Sequence, residues 1–307
     1  MKVLVVCSFN RRRIAPFITE QVESLRKRGV VIDYYLIIGK GIFGYIRNYR
    51  SLKKKISNFN PDLIHAHYGF SGLLAGFQRK IPIITTYHGS DINLWWIRPF
   101  SAISAFLSRH NIFISEGLVK KTLYKGKEYS IIPNGVDLNL FLPLNKNIAR
   151  KSLDISEKEK IVLFSGSFNN KVKNHSLAQK SIDLLKKVKL LELKRYSREE
   201  VNLLLNASDV ILMTSFHEGS PQIIKEAMSC NRPIVSTDVG DVNKLIGQVN
   251  GCYIADSNPS VIASKIIDAL KMEKTEDGRR RIIEFGLDLD SVSSKIFNLY
   301  NVVIKRP

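Results

Sequence analysis

Residues 210–228, with the sequence VILMTSFHEGSPQIIKEAM, show the local pattern that decides the fold. Four consecutive apolar residues, Val210 to Met213, indicate a short buried strand, and apolar positions after Pro221 recur with helical spacing. Between them, Gly219 permits a close approach of the backbone, Ser220 is suited to cap the helix, and Pro221 fits the first helical turn. The stretch therefore predicts a strand, a loop and a helix in succession.

The same alternation extends along the chain in both directions. Short apolar runs are each followed by a helical pattern, which is typical of parallel sheets covered by helices on both faces. The predicted strands are Lys2–Cys7, Val30–Ile38, Asp62–His65, Pro82–Tyr87, Asn111–Ile114, Tyr129–Ile132, Lys160–Ser165, Lys189–Leu193, Asp209–Thr214, Pro233–Ser236 and Cys252–Ile254.

The alternation is interrupted after the turn sequence Pro133-Asn134-Gly135, where residues 143–159 are polar and weakly patterned. We therefore predict two doubly wound α/β domains of the Rossmann-like type, residues 1–143 and 144–290. Ligands of open parallel sheets bind beyond the carboxyl ends of the strands, so we expect a site in a cleft where the two domains face each other.

Composition and charge limit the classes of function. The chain has 307 residues, of which 44% are hydrophobic and 24% charged, and this balance excludes disordered, collagen-like and disulfide-scaffold proteins. There are 47 Lys and Arg against 28 Asp and Glu, and residues 1–145 hold 21 of the basic residues against 8 of the acidic ones. This excess favours an anionic partner, namely nucleic acid, an anionic membrane surface or a phosphorylated ligand, unless the basic face serves solubility alone.

The amino-terminal sequence predicts the location of the protein. Only five apolar residues follow Lys2, which is too few for a signal-peptide core or for a membrane span of about 20 residues. We therefore expect a cytoplasmic protein. The sequence predicts no metal site. The three cysteines have no CxxC spacing, and we expect His65 and His67 to point to opposite faces of their strand.

Two glutamates in the opening stretch are the first candidates for binding. Glu218 lies in the predicted loop and Glu226 lies eight residues later in the helix, so the two carboxylates are placed to bind different parts of one elongated ligand. The amino terminus of the helix leaves backbone N–H groups that suit an anion or sugar hydroxyls. The alternative is a purely structural helix start, in which Glu218 favours the positive end of the helix dipole.

The spacing of Glu218 and Glu226 resembles the E-x7-E signature of the retaining nucleotide-sugar glycosyltransferases of family four, which have the two-domain GT-B fold. Further segments are similar to the same family and occur in the family's order. They are residues 62–67 (DLIHAH), 86–91 (TYHGSD), 132–141 (IPNGVDLNLF), 164–174 (FSGSFNNKVKN) and 207–209 (ASD). The resemblance also implies that the last helix, residues 291–304, packs back on the first domain.

The resemblance implies roles in binding the sugar donor. Glu226 would accept hydrogen bonds from ribose hydroxyls, and Glu218 would lie beside the sugar. In the donor-binding loop, which includes Pro221, the amides of Gly219, Ser220 and Gln222 would bind sugar hydroxyls and diphosphate. Gly166 would lie on the same side. Lys173 would neutralise the diphosphate leaving group.

On the acceptor side, the resemblance implies that His88 faces the reaction centre from the first domain. His67 is predicted on the same side, and Asp91 is predicted either to orient the acceptor or to cap the next segment. Family members retain the anomeric configuration by same-face attack, and the resemblance implies neither a metal nor another cofactor.

The chain departs from the family pattern in three places that bear on activity. Residues 9–13 (FNRRR) replace the usual glycine-rich loop after the first strand. Ser167 stands where family members usually have an arginine for the diphosphate, and Lys171 is the nearest replacement. The chain is also about one strand–helix unit shorter between Lys187 and Asp209.

We predict a retaining glycosyltransferase that moves a hexosyl unit from a nucleotide diphosphate sugar to a saccharide or lipid-linked saccharide, as in cell-surface polysaccharide or lipopolysaccharide assembly. The basic first domain favours peripheral binding at the inner membrane face over binding to nucleic acid. Three alternatives stay open: a catalytically weak partner subunit of the same fold, a basic nucleic-acid-binding protein, and, more distantly, a nucleotide-sugar epimerase.

Overall fold

A computed structural model describes residues 1–10, 12–39, 41–275 and 277–305, and for Ile42 the backbone only. The chain divides into two compact units. Unit 1 consists of Met1–Gly135 together with the helix that begins at Leu289, and unit 2 is Val136–Asp288.

Unit 1 is built on a parallel sheet in which the strand order is β2-β1-β3-β4-β5-β6. The strands are β1 Lys2–Ser8, β2 Val31–Ile37, β3 Leu63–His67, β4 Ile83–Tyr87, β5 His110–Phe113 and β6 Tyr129–Ile131. The helices are α1 Pro16–Lys27, α2 Gly41–Ile46, α3 Tyr49–Phe59, α4 Gly69–Gly76, α5 Ser90–Asn93, α6 Arg98–Leu107 and α7 Glu116–Lys121, and the last helix of the chain, α15 Leu289–Lys305, belongs to this unit as well.

Unit 2 has a second parallel sheet with the strand order β11-β10-β9-β7-β8. Its strands are β7 Lys160–Phe164, β8 Val188–Glu192, β9 Val210–Met213, β10 Ile234–Ser236 and β11 Cys252–Ile254. Its helices are α8 Lys146–Ser152, α9 His175–Ile182, α10 Arg198–Ala207, α11 Gln222–Ser229, α12 Val242–Ile246, α13 Pro259–Leu270 and α14 Gly278–Glu284.

All eleven predicted strands are present, and all of their pairings are parallel, so the predicted fold class is confirmed. The central strands β3, β4 and β9 are buried along their whole length. Burial on both faces explains why they appear in the sequence as continuous apolar runs rather than as alternating ones.

The helix α8 lies within the stretch that the sequence shows only as polar and weakly patterned. Asn145 caps it by accepting hydrogen bonds from the backbone N–H groups of Asn147 and Ile148. The side chain of Arg150 is buried and donates to Asp209 Oδ2 over 2.8 Å. A helix whose inward side chain is an arginine does not produce an apolar stripe, and therefore periodicity does not detect it.

The boundary between the units lies at Gly135, eight residues before the predicted boundary at 143. The reason is Phe141, which is completely buried in the core of unit 2 together with Leu204 and Ile224. At the other end, α15 packs on α1, and Val292, Ile296, Tyr300 and Val303 are part of the unit 1 core. No described helix has the length and apolar character that a bilayer span requires.

Candidate active site

The polar residues that follow β7, β9 and β10 define the candidate site of unit 2. These strands are neighbours in the sheet and run parallel, so the loops after Phe164, Met213 and Ser236 leave from the same edge. Ligand sites of doubly wound sheets form at this carboxyl edge. Lys173 follows β7, Glu218 follows β9 and Asp241 follows β10.

Lys173 and Glu218 form an ion pair at the centre of this site. Lys173 Nζ donates to Glu218 Oε1 over 2.8 Å, and the hydroxyl of Ser215 donates to the same oxygen over 2.9 Å. The two loops are also joined through their backbones, since the N–H of Phe216 donates to the carbonyl of Val172 over 2.9 Å. Both charged side chains are largely buried, with 17% and 19% exposure, so the ammonium group is held in position.

Two glycines permit the close packing of these loops. A Cβ atom at Gly166 would lie 3.2 Å from two carbons of the Lys173 side chain, which rests against the backbone at this point. Gly240 has a φ of +64°, and a Cβ atom there would lie 2.6 Å from the carbonyl oxygen of Gly219. A side chain at position 240 would therefore push away the loop that carries Glu218.

Ser220 does not cap the following helix, contrary to the sequence prediction. The helix α11 begins at Gln222 with Pro221 as its N-cap, and the Ser220 hydroxyl instead donates to Asp241 Oδ2 over 2.7 Å. Lys225 is fully buried, and the charge of Asp241 acts on its ammonium group. Burial lowers the pKa of Lys225 to about 8 and raises the pKa of Asp241.

Glu226, the second residue of the E-x7-E spacing, lies in the middle of α11, and only 3% of its side chain is exposed. Arg198 Nη2 donates to Glu226 Oε1 over 2.6 Å. The Arg198 guanidinium carbon also lies 4.7 Å from the centre of the Phe141 ring. Arg198 is not among the residues predicted from the sequence, because its only signal is its place at the start of a helix that Ser197 caps.

The departure at Ser167 has a local structural explanation. Its hydroxyl donates to Glu192 Oε1 over 3.0 Å, and the backbone N–H of Phe168 donates to the same oxygen over 2.8 Å. Ser167 thus ties the loop after β7 to the end of β8. Lys171 is exposed in the short 3-10 turn that leads to Lys173.

Three histidines of unit 1 stack at the carboxyl edge of its sheet. The ring centres of His65 and His67 are 4.4 Å apart, and those of His67 and His88 are 5.2 Å apart. The expectation that His65 and His67 face opposite sides of β3 is wrong, because residues i and i+2 of a strand share a face. His67 Nδ1 lies 3.0 Å from His88 Nε2, so one of these nitrogens donates to the other.

His65 is held from both sides and stays neutral. Its Nδ1 lies 2.6 Å from the hydroxyl oxygen of Tyr300 on α15, and its Nε2 lies 2.7 Å from the hydroxyl oxygen of Thr86. Desolvation lowers the pKa of His65 to about 3 and lowers that of His67 well below the ordinary range. Among the described residues, no group of three or more His, Cys, Asp or Glu is arranged to hold a metal ion.

Asp91 is buried and accepts backbone hydrogen bonds from the two loops that carry this histidine stack. The donors are the N–H groups of Gly69 (3.2 Å), His88 (3.1 Å) and Gly89 (2.9 Å). Burial raises the pKa of Asp91 to about 6 even though these amides favour its charged form. Asp91 lies inside α5, whose N-cap Gly89 has no side-chain cap, so its contacts join the two loops. Both predicted roles, orienting the acceptor and capping, stay predictions.

A cavity of about 490 Å³ opens beside Asp91 within unit 1. Its lining combines aromatic surface with a cation and hydrogen-bonding groups, which is a suitable combination for a polar ring-shaped ligand. The lining includes Asn10, Arg13, Phe17, Tyr68, Phe70 and Ser90. The rings of Phe17 and Tyr68 also pack against His88, each with a centre-to-centre distance of 4.7 Å.

Comparison with known proteins agrees with the resemblance seen in the sequence. Residues 2–140 match the family described as Glycosyltransferase Family 4, and residues 188–272 match the family described as Glycosyl transferases group 1. Together with the curated relatives, the two matches show a glycosyltransferase of the family 4 type. This glycosyltransferase is 24% identical over 238 residues to a Bacillus subtilis protein named as a teichuronic acid biosynthesis glycosyltransferase. The match covers 67% of this chain and 60% of that relative. This chain therefore spans about three fifths of the length of that relative.

Two other proteins are similar to this chain, one in sequence and one in fold. The UDP-Gal:alpha-D-GlcNAc-diphosphoundecaprenol alpha-1,3-galactosyltransferase of Escherichia coli is 22% identical over 300 residues, which are 82% of this chain and 75% of that protein. The solved structure of sucrose-phosphate synthase from Thermosynechococcus elongatus has a TM-score of 0.83 at 15% identity, with 98% of each chain covered. The two parallel-sheet units of this glycosyltransferase therefore have the GT-B fold.

Proposed function

We propose that this glycosyltransferase moves a hexosyl unit from a nucleotide diphosphate sugar to a saccharide or lipid-linked saccharide, with retention of the anomeric configuration. The observation that carries the proposal is a pair of carboxylates in unit 2, one buried and one largely buried, each held by its own cation. Lys173 pairs with Glu218 at 2.8 Å, and Arg198 pairs with Glu226 at 2.6 Å. One pair lies in the loop before α11 and the other lies within that helix, so they suit two parts of one ligand.

In this proposal the diphosphate lies near Lys173 and the first amides of α11, and the ribose lies at Glu226. The acceptor oxygen attacks C1 of the sugar on the face from which the diphosphate leaves. The bond between C1 and the phosphate oxygen breaks as the new C1–O bond forms, and the acceptor proton passes to the departing phosphate oxygen. The ammonium group of Lys173 stabilises the negative charge that develops on the leaving group. The reaction as proposed needs no metal.

For the acceptor we propose the cavity of unit 1 that lies beside Asp91. Aromatic rings and hydrogen-bonding groups of the kind that line it bind saccharides through ring contacts and hydroxyl hydrogen bonds. His88, packed against Phe17 and Tyr68 and hydrogen-bonded to His67, is the proposed polar group next to the reacting hydroxyl. Asp91 positions His88 in this proposal by holding its backbone N–H.

Binding of the sugar donor is tested by thermal unfolding with a panel of nucleotide diphosphate sugars. We expect one uridine or guanosine diphosphate sugar at about 100 times its Kd to raise the Tm of unit 2 by roughly 5–10 °C. Glu226→Ala removes this shift, because the ribose loses its acceptor. Glu157→Ala, the same change at an exposed glutamate of unit 2, keeps it. If no compound shifts the Tm of the wild-type protein, the proposal is contradicted. Retention is tested separately, by NMR of the anomeric proton in the product.

We further propose that the acceptor is lipid-linked and that unit 1 binds the inner membrane face peripherally. A groove of about 650 Å³ on unit 1 is lined by Ile46, Arg47, Tyr49, Arg50, Leu74 and Phe77. The side chains of Ile46 and Phe77, which line the groove, are exposed to solvent. Phe43, on the same helix as Ile46, is 78% exposed. Basic and apolar side chains beside each other suit an anionic bilayer, because lipid headgroups bind the charges and the interface takes up the apolar groups.

Membrane binding is tested by flotation with phosphatidylglycerol-containing vesicles. Replacing Arg47 and Arg50 together by alanine is expected to weaken binding at least about tenfold, because each basic residue contributes on the order of 1 kcal/mol near an anionic surface. A matched double variant of Lys180 and Lys186, both exposed on unit 2, is expected to bind like wild type. Equal binding to vesicles with and without phosphatidylglycerol would exclude the proposed surface.

One observation favours a second candidate, a catalytically weak partner subunit of the same fold. Ser167 takes the place of the usual arginine, and its hydroxyl binds Glu192 rather than extending toward a ligand. Transfer activity that is lost in Lys173→Ala and Glu226→Ala would favour the enzyme. Weak activity that neither substitution changes would favour the partner subunit.

A further inference from the structure

Arg198 is the charged group closest to Glu226, and it is fixed by more than that one contact. It is the first residue of α10, where Ser197 and Glu200 form a capping box that fixes the start of the helix. Its guanidinium group lies over the ring of Phe141, which is itself completely buried. The arginine is therefore anchored in the fold before any ligand binds.

The contact with Arg198 fixes the orientation of the Glu226 carboxylate. A carboxylate with only 3% exposure is costly to bury without a cation or strong hydrogen bonds. Arg198 supplies the cation and engages Oε1 at 2.6 Å, while Oε2 lies outside this contact. The side chain is thus held at one oxygen, and the direction of the other oxygen is set by the arginine.

We infer that Arg198 is a positioning residue that gives the site its preference for a ribose over a deoxyribose. The inference rests on the proposed role of Glu226 toward the sugar of the nucleotide. An ionised, oriented carboxylate accepts strong hydrogen bonds from a pair of neighbouring hydroxyls. A ligand that lacks one hydroxyl leaves this buried acceptor incompletely satisfied, and sites of this kind discriminate strongly against such ligands.

The test compares binding of UDP and GDP with binding of their 2′-deoxy and 3′-deoxy counterparts by calorimetry. We expect the full-length wild-type protein to bind the ribonucleotide at least about tenfold more tightly than one deoxy counterpart. Arg198→Met is expected to reduce this ratio to below about threefold, and Arg198→Lys is expected to restore part of it. In the Glu226→Gln background, Arg198→Met is expected to cause no further loss of the ratio.

Arg280→Met is the matched control, because it removes the same charge from an exposed helix of unit 2. It is expected to leave the ratio unchanged. A purely structural role of Arg198 would weaken ribo- and deoxynucleotide binding equally and keep the wild-type ratio, and this result would overturn the inference while leaving the proposed function intact. A wild-type protein that binds nucleotide without any preference would instead overturn the ribose role of Glu226, and the inference with it.

Discussion

Replacing Lys173 by methionine is expected to lower the rate of sugar transfer about 10²- to 10³-fold. This is the usual effect of removing one preorganised group that stabilises charge in a transition state. Lys173 Nζ is held by Glu218 at 2.8 Å, and its side chain rests against Gly166, so its charge is in place before the leaving group departs. Steady-state kinetics with the donor identified by thermal unfolding measure the effect.

Two comparisons separate this role from general damage to the site. Lys180→Met removes the same charge from an exposed position on α9 and is expected to keep wild-type rates. Lys173→Met should also weaken binding of the nucleoside diphosphate more than binding of the monophosphate, because the lysine is proposed to act on the diphosphate. Equal weakening of both nucleotides, or unchanged transfer, would show that Lys173 only supports Glu218.

Acidification is expected to destabilise unit 1 through His65. Its pKa is about 3 in the folded protein against an ordinary value of 6.5, so between these values the unfolded chain binds more protons than the folded one. Stability is therefore lost as the pH falls below 6.5, by about 1.4 kcal/mol per pH unit from this one side chain. At pH 4.5 the loss amounts to roughly 3 kcal/mol, and the burial of His67 acts in the same direction.

The contribution of His65 is measured as the difference in denaturant stability between wild type and His65→Gln, from pH 7.5 to 4.5. The variant starts less stable, because contacts to Tyr300 and Thr86 change, but its stability should fall less steeply with acid. Asp91 has the opposite effect on the pH dependence of stability, because its pKa is raised to about 6. Since it is present in both proteins, its contribution cancels in the difference between them. Tyr300→Phe alters the same contact and keeps the histidine, so it should retain the wild-type slope. Parallel slopes of wild type and His65→Gln would contradict the prediction.

The candidate site of unit 2 shows which parts of a site can be recognised in a sequence. Glu218 and Glu226 could be singled out because they lie in one short segment with a recognisable strand, loop and helix. Arg198 could not, because it meets Glu226 only through the packing of α10 beside α11. The partner of Ser220 was missed for the same reason, since Asp241 arrives from the loop after β10.

The sequence by itself determined the strands and their parallel arrangement, because backbone pairing and burial on both faces impose an apolar run that is local in the chain. It also determined that Glu218 and Glu226 occupy one loop and its helix. Only the tertiary structure decided the charge environment of these groups, since Coulomb forces and desolvation depend on distances in space. Arg198 beside Glu226, Tyr300 beside His65 and Arg150 beside Asp209 are separated by 28, 235 and 59 positions, and no local pattern carries that information.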